Sequence, residues 1–326
     1  MVVGDRMSLP TVIALAPAVP ESFAPLRSLA QVVVPDGPLQ FGTSDLISTQ
    51  SRQSVTGLIT PGEFLITGDL LDALPQLRVI ANTAAGFNNL PLSELTRRGI
   101  WGTNTPDAFT GATADATLGL ILALARRIAM GDAYVRSGRW EHDGPQGDRW
   151  SGIELGGKTL GIVGFGKIGQ AVAHRAEAFG MSIIFHRRGA TGDPRQRDLM
   201  TLLREADLVT VLVPLTTETR YLIDAKALAS MKPSAMLVNI SRGPVVHEQA
   251  LVEALREGRL AGAALDVFEA EPKVHPELLG MSQVVLTPHL GGATREARLQ
   301  ARIDASENVA AVLRGERPRG ALNQIN

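Results

Sequence analysis

Residues 159–170 read TLGIVGFGKIGQ. A short apolar run, Leu160 to Val163, leads into Gly164-Phe165-Gly166-Lys167-Ile168-Gly169, and a helical pattern from Ala171 to Phe179 follows at once. Strand, glycine-rich turn, then helix is the context that a dinucleotide-binding fingerprint requires. In that setting Gly164 makes the tight turn, Gly166 lets the backbone approach a pyrophosphate, and Gly169 lets the helix pack closely on the strand. The N–H groups at the helix start, at the positive end of its dipole, then hold the phosphates. A tight turn with no ligand is the plain alternative, because G-x-G-x-x-G alone matches any glycine-rich turn.

Working outward, short apolar runs follow the fingerprint at Ser182–Phe185, Asp207–Val213, Ala235–Asn239, Gly262–Asp266 and Gln283–Leu286. With helices between them they suit a doubly wound parallel sheet. Before the fingerprint, Thr113–Ile128 reads as a long helix, apolar around most of its girth, for burial between layers or at a subunit interface. Tyr134–Ser151, rich in Gly, Trp and charge, reads as an irregular excursion. The first hundred residues alternate in miniature. Thr11–Ala16, Gln31–Val34, Gly57–Thr60 and Leu77–Asn82 read as strands, and Pro20–Leu29, Asp69–Leu74 and Pro91–Arg98 as helices. The last helical pattern, Ala293–Arg314, follows the completed sheet, so the tail is expected to return to the first domain. The expected division is residues 1–104 plus 292–326 for one domain and 105–291 for the nucleotide domain inserted between them.

A chain of 326 residues suits about two domains. The 32 basic residues nearly balance the 33 acidic ones, giving a net charge of −1 that points to neither nucleic acid nor a membrane surface. Cysteine is absent, which excludes disulfides, thiolate metal sites and cysteine nucleophiles. No apolar run reads as approaching the ~20 residues of a bilayer span. Met1–Leu9 holds Asp5 and Arg6 and lacks the apolar core of a signal peptide, so a cytoplasmic location is expected, with Met1 or Met7 as the start.

The strand after the fingerprint ends in His186-Arg187-Arg188, and no acid occurs from Met181 to Ala190. An NAD-binding unit usually carries an acid there for the ribose 2′-OH. Two adjacent guanidiniums instead suit charge-assisted bonds to a 2′-phosphate, which favours NADP(H) with NAD(H) second; two solvated loop arginines are the alternative. Three further residues fall just past strands: Arg242 in NISRGP, Glu271 in DVFEAEP and His289 in TPHLGG. Ligands of open α/β sheets bind outside the carboxyl ends of the strands, so these three can converge on one crevice, although each alone has an ordinary surface explanation. Beside a nicotinamide the chemistry follows. Hydride transfer to a carbonyl leaves an alkoxide that needs a proton, which His289 can give. A nearby carboxylate keeps the imidazole protonated, and an arginine can grip a substrate carboxylate while polarising the carbonyl. This scheme needs no metal. In the first domain, Asn82-Thr83-Ala84-Ala85-Gly86-Phe87-Asn88-Asn89 follows a strand with small residues, either as a nest of N–H groups for a carboxylate or as an ordinary turn.

These motifs together resemble the D-isomer-specific 2-hydroxyacid dehydrogenases, and more narrowly the glyoxylate/hydroxypyruvate reductases. The likeness runs through NTAAGFNNL, NTPDAFTGATADATLGLILALARR, RSGRW, GKTLGIVGFGKIGQAVAHRAEAFGM, VPLTTETRYLID, VNISRGPVV, GAALDVFEAEP and LTPHLGGAT. It implies an α/β fold of two open doubly wound parallel-sheet domains, flavodoxin-like for substrate and Rossmann for nucleotide, with a cleft between them. It implies Arg242 as the substrate arginine and Glu271, rather than Glu269, with His289 as the acid–base pair. Asp266 is then expected at the nicotinamide carboxamide, and Ala84, Ala85 and Gly86 at the substrate carboxylate beside Arg242 and His289. With the fingerprint, the His186–Arg188 stretch and the strand-end residues Val213, Pro214 and Ile240, Asp266 completes the expected cofactor contacts. A homodimer through the 105–150 region is implied, with Trp140 reaching the partner's pocket. NAD-preferring relatives carry Asp where His186 stands, and many NADPH-dependent ones carry Arg at or next to Arg188. The first ~80 residues match least, and Asn88 stands where many members have Asp.

The expected activity is therefore NADPH-dependent, D-specific reduction of small 2-oxo acids, glyoxylate and hydroxypyruvate first. Its rivals are another D-2-hydroxyacid dehydrogenase of D-lactate type, a dinucleotide-sensing corepressor that keeps the same acid–base residues, and an idle oligomerisation scaffold. Formate dehydrogenases are disfavoured because they carry Gln where Glu271 stands.

Overall fold

Strands of three to six residues separated by helices and turns build two parallel sheets in this chain, whose computed structural model describes residues 9–15, 19–35 and 53–325. Ala16, the expected end of the first strand, and the start at Met1 or Met7 lie outside the described residues. The chain divides into two units, Met1–Phe109 with Thr294–Asn326, and Thr110–Ala293.

In the first unit β1 (Thr11–Ala14), β2 (Gln31–Val33), β3 (Val55–Thr60), β4 (Val79–Asn82) and β5 (Trp101–Thr103) are all parallel, in the order β2-β1-β3-β4-β5. That is the flavodoxin-like order 2-1-3-4-5. Side chains alternate across a strand, so each face finds its own partners. Ile13, Leu58 and Ile80 pack with Leu70 and Leu71 of α1 (Gly68–Asp72) and Leu95 of α2 (Leu92–Arg97). Val12, Ile59, Val79 and Ala81 pack with Ala305, Val309, Ala310 and Val312 of the terminal helix Arg295–Leu313. The chain's last helix thus covers one face of its first sheet. The short helix expected over Pro20–Leu29 is a 3-10 helix that ends at Leu26, with Pro25, which has no N–H to donate, inside it.

The second unit opens with α3 (Thr110–Ala125), α4 (Ile128–Arg136) and α5 (Arg139–Asp143). The helix expected at Thr113–Ile128 ends earlier because the Ala125 carbonyl is taken by the N–H of Ile153, and Arg127 turns left-handed at φ 55°. The stretch Tyr134–Ser151 is not irregular. It is mostly helical, cut into pieces by Gly138 and Gly144 at φ 75° and 69°, and such short pieces show little periodicity in sequence. The expectation that no run reaches membrane-span length is also corrected, since Pro106–Ala125 is long and apolar enough by length and composition. Its Ala114, Leu118, Ile121 and Leu124 pack in a core cluster with Leu160 and Ile162, as a helix covering a sheet does.

The sheet of this unit holds β6 (Thr159–Val163), β7 (Ser182–His186), β8 (Leu208–Val211), β9 (Met236–Asn239), β10 (Gly262–Leu265) and β11 (Val284–Leu286), in the order β11-β10-β9-β8-β6-β7. All pairs are parallel, so every carboxyl end lies at one edge. The Rossmann order 3-2-1-4-5-6 requires another strand beside β7. Here it has shrunk to a single parallel bridge, Phe185 with Gln196, held by Phe185 N–H to Arg195 and Arg197 N–H to Phe185. α6 (Lys167–Ala178), α7 (Leu199–Glu205), α8 (Ala225–Ser230), α9 (Glu248–Arg256) and α10 (Pro276–Gly280) fill the connections.

Candidate active site

The glycine loop is built as a phosphate cradle must be. Gly164 sits at φ 107°, and a Cβ there would come within 2.9 Å of the Leu212–Val213 backbone past β8. A Cβ on Gly169 would lie 2.4 Å from the Gly164 carbonyl, so that glycine sets how closely α6 approaches β6. At Gly166 a Cβ would meet nothing within 4 Å, and Gly166 is also the N-cap of α6, which no side chain caps. Open space over an uncapped twelve-residue helix fits a pyrophosphate, and a side chain at Gly166 would fill that space. The helix begins at Lys167, not at Ala171 as the apolar pattern suggested, because its first turn, Lys-Ile-Gly-Gln, holds one large apolar residue and carries little periodicity.

The Phe165 side chain turns into the core, its ring stacked on Phe185 at 3.8 Å, which leaves only its backbone for a cofactor. His186 closes β7 with Nδ1 3.1 Å from the Arg197 carbonyl. Arg187 and Arg188 are exposed on the following loop, which Gln196 ties together by donating to the carbonyls of Arg187 and Gly189 and accepting from Thr191. Glu218 is held below the ordinary carboxylate value, first by the Thr216 hydroxyl and in smaller part by the charge of Arg188. An anion bound at Arg188 would compete with that carboxylate.

The three polar residues past β9, β10 and β11 are brought to the same edge. Nδ1 of His289 lies 2.9 Å from Oε2 of Glu271. Of the two glutamates in DVFEAEP, Glu271 is the one that meets the imidazole, while its Oε1 accepts the Phe268 N–H at 3.0 Å. The Glu271–Pro272 peptide is cis. The hydrogen bond that Glu271 accepts raises the His289 pKa above its ordinary value; burial opposes it, and the charges of Glu271 and Asp266 help against that of Arg242. Burial pushes the Glu271 carboxyl up, yet the His289 and Phe268 hydrogen bonds and the charges of His289 and Arg242 outweigh it and leave the pKa lowered. Arg242 is more buried than either, and burial lowers its pKa against the opposing charge of Glu271; a guanidinium starts so high that it stays cationic. Its Nη1 donates to the Ser241 carbonyl at 2.6 Å.

Asp266, 1% exposed, organises the loop that carries the histidine. Its Oδ1 accepts from the Thr287 hydroxyl and the Leu290 N–H, its Oδ2 from the Gly291 N–H, and its carbonyl from the His289 N–H. His289 itself sits at φ 55°, a backbone region that non-glycine residues avoid. Ile240, buried past β9, bounds the same loop, since a Cβ on Gly291 would press on it at 3.0 Å. Past β8, Val213 abuts the glycine loop and the Pro214 carbonyl accepts the Thr219 hydroxyl. Sequence reading passed over Thr287 and Gly243. A Cβ on Gly243 would lie 1.9 Å from the Phe268 carbonyl, so the Arg242 turn and the Glu271 loop touch backbone to backbone there. The Gly-Pro after Arg242 in NISRGP is the signal available in the sequence.

In the first unit the turn after β4 is tied back through its carbonyls. Ala84 O accepts from Thr105 N–H, Ala85 O from Asn104 Nδ2 and Gly86 O from Asn82 Nδ2. Among the described residues, none of the N–H groups of Ala84, Ala85 or Gly86 meets an acceptor.

A doubly wound parallel domain with a glycine loop open to a phosphate and a histidine–carboxylate pair beside an arginine fits a dinucleotide-dependent oxidoreductase class. Residues 118–291 match the family model described as D-isomer specific 2-hydroxyacid dehydrogenase, NAD binding domain. A glyoxylate reductase of Pyrococcus furiosus is 46% identical over 280 residues, covering 83% of each chain. An NADPH-dependent glyoxylate/hydroxypyruvate reductase of Sinorhizobium meliloti, solved with citrate, superposes with a TM-score of 0.87 at 32% identity, covering 96% of this chain and 97% of that one. Its complex with NADP and malonate gives 0.83 at 33% identity, covering 93% of both. A D-lactate dehydrogenase of Aquifex aeolicus, solved with NAD and lactic acid, gives 0.80 at 25% identity, covering 94% and 96%. The chain belongs to the D-isomer specific 2-hydroxyacid dehydrogenase family and is an NAD(P)-dependent oxidoreductase.

Proposed function

We propose that this enzyme reduces glyoxylate and hydroxypyruvate with NADPH, giving the D-configured product where a stereocentre forms. The observation that carries the reading is the 2.9 Å contact of His289 with Glu271, with the Arg242 charge acting on both. Substrate choice follows the likeness to glyoxylate reductases, and cofactor choice the exposed Arg187–Arg188 pair with no acid beside it.

What the bound nicotinamide supplies is a hydride for the substrate's carbonyl carbon. Gly164 and Gly166 would hold the pyrophosphate with the backbone of Phe165, Lys167 and Ile168 where Gly169 lets the helix approach, and Val213, Pro214 and Ile240 would line the rest. His186 fixes the strand end from which Arg187 and Arg188 reach a 2′-phosphate. Asp266 Oδ2, with one internal donor, keeps a lone pair for the carboxamide. Arg242 binds the substrate carboxylate and polarises the carbonyl oxygen. Glu271 engages Nδ1 of His289, so Nε2 gives its proton to the developing alkoxide. Two protomers associate through the 105–150 region, and the enzyme works in the cytoplasm, which cell fractionation tests.

Steady-state kinetics over 2-oxo acids with each cofactor test the reading. Glyoxylate and hydroxypyruvate with NADPH are expected to give the highest kcat/KM. Replacing both Arg187 and Arg188 by Ala removes charge-assisted bonds and should raise the KM for NADPH about 10- to 100-fold while leaving NADH little changed. Preference for pyruvate with NADH, or equal loss for both cofactors, overturns it.

A further inference from the structure

We propose that Glu248, Glu269 and Tyr221 form a clasp that positions the catalytic glutamate, so that these three residues set the proton affinity of His289 without touching it. This rests on the reading of Glu271 and His289 as the acid–base pair.

The segment from Asp266 to His275 carries Glu271 and contains neither helix nor strand. Among the described residues, its internal contacts are the Phe268 N–H to Glu271 bond and an isolated bridge of Ala270 with Lys273, whose N–H reaches the Ala270 carbonyl. Its shape is imposed from outside. Glu248, the first residue of α9, accepts the Glu269 N–H on Oε2 at 3.0 Å and the His275 N–H on Oε1 at 3.0 Å. One carboxylate thereby ties together both ends of the stretch 269–275, with Glu271 between them. Glu269 returns the contact, its Oε1 accepting the Glu248 N–H at 2.6 Å. Its Oε2 takes the Tyr221 hydroxyl at 3.1 Å.

Tyr221 is held in turn. It sits at φ 53°, donates its N–H to the Pro244 carbonyl at 2.8 Å, and packs its ring on His247 at 4.6 Å. It thus joins the loop past β8, the turn after Arg242 and the Glu271 loop. Among the described residues neither Glu248 nor Glu269 makes an ion pair, and both spend their oxygens on N–H and O–H donors. Arg220 donates to the Tyr221 hydroxyl at 3.2 Å, so a guanidinium meets the clasp through the tyrosine, while the two carboxylates fix backbone N–H groups in direction. The charged groups that face His289 are Glu271, Arg242 and Asp266, and of these Glu271 is the one whose loop the clasp holds.

The test uses the full chain with glyoxylate and NADPH, comparing E248A, E248Q, Y221F, E271Q and the double variant E248A/E271Q. E248A is expected to lower kcat about tenfold or more, as partial loss of acid–base catalysis does. NADPH affinity, read by its fluorescence, should stay within about twofold, because the glycine loop is untouched. The pH at which reduction falls off should move down toward that of E271Q. E248Q keeps one acceptor oxygen and should fall between wild type and E248A. Adding E248A to E271Q should cost little beyond E271Q alone, since both act through one contact. A lowered kcat with an unmoved pH profile, or full multiplication of the two effects, overturns the clasp. If E248A does not fold, Y221F carries the test: a downward shift in the same direction supports the clasp, and unchanged kcat and profile overturn it. E271Q separates the two readings. An unmoved profile in E271Q refutes the acid–base pair itself, whereas a shift in E271Q without one in E248A or Y221F refutes only the clasp.

Discussion

His289 occupies a left-handed backbone position at φ 55°, with its N–H on the Asp266 carbonyl and its Nδ1 on Glu271. Non-glycine residues pay for such a conformation, and the Asp266 carboxylate holds it through Thr287, Leu290 and Gly291. The pair has a defined pH window. His289, raised by Glu271, contributes stability in full below its unfolded value of about 6.5 and loses it as pH rises through the raised value. Glu271, lowered, contributes in full above its unfolded value of about 4.5 and loses it as pH falls through the lowered value. On the proposed mechanism reduction needs the protonated imidazole, so kcat/KM should stay level past the ordinary imidazole range and decline on the alkaline side. Oxidation of the hydroxy acid needs the neutral ring and should rise over that same interval. E271Q removes the first cause of the raised value, and its alkaline decline in reduction should come at lower pH. Stopped-flow pH–rate profiles of the two proteins decide this, and coincident profiles refute the pairing.

At the scale of elements, the site is a set of loops at the carboxyl edge of one parallel sheet. Their mutual distance is set by glycines as much as by side chains. Gly243 lets the turn after β9 lie on the backbone past β10, where a Cβ would stand 1.9 Å from the Phe268 carbonyl. Gly243→Ala must therefore push apart the Arg242 turn and the Glu271 loop. A loss of about 2–3 kcal/mol in unfolding free energy is expected from the overlap, together with a drop in kcat larger than the rise in substrate KM. Denaturant melts and steady-state kinetics measure both, and a variant with wild-type stability and turnover would show that the loops move freely there. Most of the element order was legible in the sequence, because buried parallel strands read as short apolar runs. The seams were less so. Helix α3 stops where Ile153 captures the Ala125 carbonyl, and that contact spans 28 residues of chain. The third Rossmann strand survives as one bridge at Gln196, too short to leave a pattern.

For the molecule as a whole, the helices α4 and α5 leave large apolar side chains outside. Ile128, Val135 and Trp140 are 56%, 51% and 52% exposed within a stretch of thirteen residues. Exposure of this kind is what the proposed dimer through residues 105–150 would cover. Light scattering should report twice the 34.7 kDa chain mass, and Ile128→Asp with Val135→Asp should halve it by placing two charges in the apolar patch. If the doubly substituted protein keeps the same mass, the partner lies elsewhere.

The residue types for the chemistry, their place just past strands and the glycine spacing of the phosphate cradle were all determined by the sequence alone. Each depends on local chain geometry, which a strand–turn–helix word encodes within about a dozen residues. The choice of Glu271 over Glu269 required the tertiary structure or a family likeness, because two carboxylates two residues apart have the same local pattern. Only the fold turns one toward His289 and the other toward Glu248 and Tyr221. The jobs of Asp266, Gly243 and Tyr221 were decided by the fold for the same reason: each works through a backbone group more than twenty residues away, and no local spacing in TLGIVGFGKIGQ or its neighbours records such a contact.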